Sequence, residues 1–90
     1  MVVLVKGKGM RLLVDRVADG PGPNEVVVTV ATADGRSEEL IVDRRTLADT
    51  KIEVGYPISQ RNGHFLVELP REAMSGLWRV WVDHDRIVER

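Results

Sequence analysis

The chain has 90 residues, 43% of them hydrophobic and 30% charged, which is the composition of a folded globular protein and excludes a highly charged disordered one. Thirteen Lys plus Arg against fourteen Asp plus Glu leave a formal net charge of −1, so no global field draws in nucleic acid or an anionic membrane. Cysteine is absent, which removes disulfides, thiolate metal sites and a cysteine nucleophile together and makes the cytoplasm the expected compartment.

The length implies one domain over residues 1–90, because a chain this short leaves little room for a second core. The opening Met-Val-Val-Leu-Val is broken by Lys6 and Lys8, and no apolar run approaches the roughly 18 residues that a membrane span requires. A soluble protein without a membrane partner is expected. No stretch repeats at a fixed period.

Fifteen valines, four isoleucines and four threonines make about a quarter of the chain β-branched, in short runs bounded by Gly, Pro, Asp and Asn. Val2 to Val5 reads as a first strand. Lys6-Gly7-Lys8-Gly9 turns it into a second, from about Arg11 to Val17, and Asp19-Gly20-Pro21-Gly22-Pro23-Asn24 breaks the pattern. Glu25 to Ala33 and Arg36 to Asp43 flank Asp34-Gly35, which predicts a hairpin with a two-residue turn. With Ala33 facing Arg36, Thr29 falls opposite Leu40 and Val27 opposite Val42, with Val28 and Ile41 on the other face.

Arg44 to Thr50 has room for at most a turn of helix. Ile52 to Gln60 and His64 to Leu69 flank Asn62-Gly63, the strongest short hairpin signal, and Pro57 assigns the first of these strands to an edge or a bulge. Pro70-Arg71-Glu72-Ala73-Met74-Ser75-Gly76 reads as one helical or 3-10 turn near residues 70–75, with proline at its start and glycine at its stop. Leu77 to Val82 is the next strand, with Trp78, Val80 and Val82 on the core side and Leu77, Arg79 and Trp81 on the other. Asp83-His84-Asp85 turns the chain into a last segment, Arg86 to Glu89.

Six to eight short strands without a long helix exclude a parallel sheet, so the expected fold is all-β: a small antiparallel barrel of the SH3-like or OB-like kind. The short turn at Pro70 to Gly76 ahead of the final strands resembles SH3-type barrels over about the last third of the chain. That resemblance implies a small barrel. It does not imply proline-rich ligands, since the single Tyr56, followed by Pro57, builds no aromatic furrow.

Three constellations carry chemistry. Lys6, Lys8 and Arg11 around a glycine turn offer contacts for an anion or phosphate, but the P-loop spacing is missing and a solvated turn is the better account. The strand Leu77-Trp78-Arg79-Val80-Trp81-Val82 holds both tryptophans of the chain. Trp81 beside Arg79, with Tyr56 as a further aromatic, suits an interaction face; the competing reading buries Trp81 under Arg79 as a cation–π lid. His64 with Asp83-His84-Asp85 has no geometry that promises a metal site, and a solvated turn is the better account.

No catalytic residue is expected. Ser37, Ser59 and Ser75 stand in no nucleophile elbow, and Glu38-Glu39 point to opposite faces of a strand. The expected function is a non-enzymatic protein-interaction or self-association module without a cofactor. The rival is a small-barrel protein that binds RNA or single-stranded DNA, with Lys6, Lys8, Arg11 and Arg79 on phosphates and Trp81 stacking a base.

Overall fold

The β-branched runs form strands, and the turn residues between them set where the chain reverses. The computed structural model describes residues 10–88. These contain β1 (Met10–Leu13), β2 (Arg16–Asp19), β3 (Glu25–Ala31), β4 (Ser37–Asp43), β5 (Leu47–Ala48), β6 (Lys51–Val54), β7 (Ser59–Arg61), β8 (His64–Glu68), β9 (Arg79–Asp83) and β10 (Ile87–Val88). Two 3-10 turns, Arg44–Thr46 and His84–Arg86, precede β5 and β10. The strand expected over Val2 to Val5, and Lys6 and Lys8 with it, lie outside the described residues.

All pairing is antiparallel, in three sheets of order β10-β1-β6-β5, β2-β3-β4 and β7-β8-β9. None of the three closes on itself, and the described residues contain ten strands rather than six to eight. Among them no helix is long and apolar enough to cross a membrane.

The order of elements repeats. Residues 10–48 run strand, strand, strand, strand, 3-10 turn, strand, and residues 51–88 run through the same series. The first half owns the sheet β2-β3-β4 and the second owns β7-β8-β9, while β1 and β6 pair at the centre of the shared sheet. Each is flanked by the last strand of the opposite half, β10 beside β1 and β5 beside β6. The two 3-10 turns match closely: Asp43 enters at φ −65°, ψ 134° and Asp83 at −67°, 146°, and Leu47 leaves at −97°, 127° and Ile87 at −100°, 130°. The side chains show no fixed period, whereas the order and pairing of the strands recur.

One apolar core joins the sheets. Leu12, Val26, Val28, Val30, Leu40, Ile52, Val67 and Val82 are essentially inaccessible, and Met10, Leu47, Phe65 and Ile87 pack around them. Every second residue of β3 faces this core, the period that a strand with one covered side imposes.

The first hairpin differs from expectation by one residue. Val26 pairs with Val42 and Val28 with Leu40, so Val27 faces Ile41 and Thr29 faces Glu39. The reason is a three-residue loop in place of a two-residue turn: Thr32 N–H donates to Arg36 C=O at 2.9 Å, Gly35 N–H donates to Thr32 C=O at 3.1 Å, and Gly35 takes φ 85°. This register places Val26, Val28 and Val30 on the same face as Leu40 and Val42, and among the described residues no polar one is buried. The second hairpin is as expected, with Asn62 and Gly63 at φ 50° and 81° and Arg61 facing His64.

Three further expectations are corrected. The long strand across Pro57 is two strands, β6 and β7, in different sheets, and Pro57 sits in the break. Residues 70–75 form no helical turn; the N–H of Met74 donates 2.8 Å across to Glu39 C=O, and a tight turn closes from Gly76 N–H to Ala73 C=O. Trp78 is not in the core but half exposed (50%), because β9 begins at Arg79 and Trp78 belongs to the preceding loop.

Candidate functional site

The outward face of the sheet β7-β8-β9 is assembled by register alone. Arg61 faces His64, which faces Asp83, giving one row of side chains across three strands; Ser59, Leu66 and Trp81 give the next row, and Glu68 and Arg79 the third. Opposite residues in such a ladder lie about 5 Å apart, so each row is a line of neighbours. The His64 Nε2 and Asp83 Oδ1 stand 3.1 Å apart. The guanidinium of Arg61 lies 5.3 Å from the centroid of the Trp81 ring, a cation–π contact.

Across this face stands the turn between β3 and β4, which belongs to the first half. The N–H of Ala33 donates to the carbonyl of Trp81 at 2.8 Å. Between turn and sheet opens a cleft of about 450 Å³, floored by Trp81 and Val80 and walled by Arg36, Glu38, Arg61, His64, Leu77 and Arg79.

Its electrostatics follow from who is already paired. Asp34 accepts from the Thr32 hydroxyl and from Arg36 N–H, and the Thr32 hydroxyl is the main cause that holds its carboxyl below the usual range. Glu38 accepts from the Ser75 hydroxyl. Arg36 approaches Asp34 at 3.9 Å with both side chains largely in water, a weak pair. Three guanidinium groups, Arg36, Arg61 and Arg79, line the cleft against two carboxylates, Asp34 and Glu38, so cations outnumber anions and the cleft favours an anionic guest.

The rim continues as an apolar surface. Met74 (65% exposed), Leu77 (48%) and Trp78 lie together on the loop between β8 and β9, and Leu77 also walls the cleft. Apolar side chains that cluster in water next to a pocket mark a surface for association.

The sequence-expected site residues divide. Arg79 and Trp81 share the cleft, but the lid over Trp81 is Arg61, not Arg79. Tyr56 is exposed in the loop between β6 and β7, beside Glu53, Leu69 and Pro70 in a separate depression, so it does not join them. Arg11 lies in β1, opposite Glu53 on one side and Val88 on the other, away from the cleft. Arg61, Arg36 and the pairing of His64 with Asp83 are additions. The first was legible, since a two-residue turn at Asn62-Gly63 obliges Arg61 to face His64.

Among the described residues no three His, Cys, Asp or Glu converge as metal ligands. No protein-family profile, curated protein or solved structure matches the chain.

Proposed function

We propose that this chain is a non-enzymatic protein-interaction module that docks a partner on the cleft around Trp81 and on the adjoining Met74, Leu77 and Trp78. The observation that carries the reading is this continuity: a half-buried Trp with Arg61 and Arg79 beside it opens onto exposed apolar side chains. Trp, Arg and Met are the residue types enriched where proteins bind one another.

The barrel expectation belongs to the same proposal. Ala33 N–H donates to Trp81 C=O and Met74 N–H to Glu39 C=O, so backbone bonds join the sheet β2-β3-β4 to β9 and to the loop before it, and one apolar core lies under all three sheets, which supports a small, barrel-like body. The turn at Pro70 to Gly76 that suggested SH3-type barrels is not helical, so the likeness retains only the run of short antiparallel strands. A cytoplasmic location fits the cysteine-free chain.

The test is association of the purified protein with itself, by sedimentation velocity, and with proteins of its native lysate, by pull-down. A defined complex that Trp81→Ala and Trp78→Ser weaken, with circular dichroism unchanged, supports the module. A monomer at high concentration that retains nothing from the lysate overturns it.

The nucleic-acid reading draws on the same Trp81 with Arg36, Arg61 and Arg79, but Asp34 and Glu38 stand among them. It requires measurable oligonucleotide affinity at about 50 mM salt, where phosphate contacts are strongest.

A further inference from the structure

The phase of the ladder between β8 and β9 decides what the cleft presents. Leu69 N–H donates to Trp78 C=O at 2.8 Å and His84 N–H to Gly63 C=O at 2.9 Å. Hydrogen-bonded pairs alternate along an antiparallel ladder, so Val67 with Val80 and Phe65 with Val82 are bonded pairs. Arg79 and Trp81 therefore turn their backbone N–H and C=O groups away from β8, toward the open edge of the sheet. Ala33 occupies the Trp81 carbonyl. The Trp81 N–H and both backbone groups of Arg79 point to the side where the cleft lies.

The first half carries the same device with different side chains. Arg44 N–H donates to Asn24 C=O and Thr32 N–H to Arg36 C=O, so Glu39 turns its backbone outward from β4 and accepts the N–H of Met74. By the correspondence of the two 3-10 turns, Glu39 occupies the place of Arg79 and Ile41 that of Trp81. Of two edges built alike, one alone combines a tryptophan with arginines.

Resting on the interaction-module reading, we infer that the edge of β9 takes up a short extended segment of an acidic partner protein as an added strand. Its main chain pairs with the N–H and C=O of Arg79, the Trp81 carbonyl staying with Ala33, and its carboxylates, on alternate residues, meet Arg36, Arg61 and Arg79. Strand addition takes affinity from main-chain bonds and selectivity from alternate side chains. The charge balance of the cleft calls for an anion. The outward N–H and C=O of Arg79 call for a peptide, because a sugar-phosphate chain offers no such alternating pair of donor and acceptor.

The probe is an acetylated, amidated hexapeptide of alternating Glu and Val, titrated to millimolar concentration into the full chain and followed by amide chemical shifts and Trp fluorescence. Shifts at Arg79, Trp81 and Ala33 are expected, with affinity falling about tenfold or more in Arg79→Glu and less in Arg79→Gln. A peptide methylated on alternate backbone nitrogens should bind at least about tenfold more weakly on the register that removes its donors. Equal binding of a Lys-Val peptide, indifference to backbone methylation, or no shift at millimolar concentration each overturns the inference. Displacement by oligo(dT) at lower concentration assigns the cleft to nucleic acid and overturns it too. If peptide binding fails while the association weakened by Trp78→Ser persists, the module reading stands and only the acidic strand falls.

Discussion

The backbone N–H of Ala33 donates to the carbonyl of Trp81 at 2.8 Å and so ties the turn of one half to the edge strand of the other. Met74 N–H donates to Glu39 C=O in the reverse sense, also at 2.8 Å. Together the two bonds use carbonyls that edge strands otherwise leave open, and Arg86 paired with Asp15 adds a side-chain tie between the halves. The cleft exists because each half lends a turn to the other.

Truncating the shared core should be costly. Leu40→Ala removes a fully buried side chain and is expected to destabilise by about 2–5 kcal/mol, whereas Ile41→Ala, on the outward face of the same strand, should cost clearly less. Urea denaturation of the two variants decides; equal losses would contradict the assigned register.

Glycine substitutions separate conformational strain from crowding. Gly35→Ala and Gly63→Ala meet no atom within 4 Å, yet sit at φ 85° and 81°, so each should cost about 1–2 kcal/mol. Gly55→Ala meets open space without a positive φ and should be neutral or slightly stabilising. Gly20→Ala would bring a Cβ within 2.8 Å of the Glu25 carbonyl carbon and should be the worst of the four. Thermal melts of the series give the order.

The contact of Arg61 with Trp81 is open to a double-mutant cycle. Arg61→Ala and Trp81→Phe, alone and together, should reveal a coupling of about 0.5–1 kcal/mol, the range of an exposed cation–π pair. Arg61→Ala should also change the emission of Trp81 while leaving that of Trp78, since among the described residues no cation lies over the latter's ring. A coupling of zero would remove Arg61 from the site.

Acid should loosen two turns. The Thr32 hydroxyl lowers the Asp34 carboxyl, and the Arg45 side chain, which reaches Asp43 at 3.0 Å, lowers that of Asp43. A folded-state value below the unfolded one means stabilisation that is present above the ordinary carboxylate range and lost as pH falls through the lowered values. Carboxyl chemical shifts followed from pH 6 downward should show both midpoints low, and Thr32→Ala should raise that of Asp34 alone.

The apolar loop tip should be dispensable for folding. Met74→Ser with Trp78→Ser is expected to change stability by less than about 0.5 kcal/mol per site, because neither side chain belongs to the core. A large loss of stability would show that these residues hold the fold rather than serve association.

Local chemistry was legible in the chain. Alternating valines made the strands, Asn62-Gly63 set a hairpin register that placed Arg61 against His64, and the composition specified an antiparallel β architecture. The shift at Asp34-Gly35 was legible too in one respect, since only the observed register aligns Val26, Val28 and Val30 with Leu40 and Val42. Trp78 misled because its spacing from Val80 and Val82 implies one face only if the strand reaches back to it, and the strand starts one residue later.

What only the tertiary structure decided is how the two halves exchange strands and turns. The pairing of β1 with β6, the donation from Ala33 to Trp81 and the approach of Arg36 to the cleft join segments far apart in the chain. Propensity and alternation act over a few residues and are blind to such partners. Which edge meets which turn is set by burying one common core, a property of the whole chain at once.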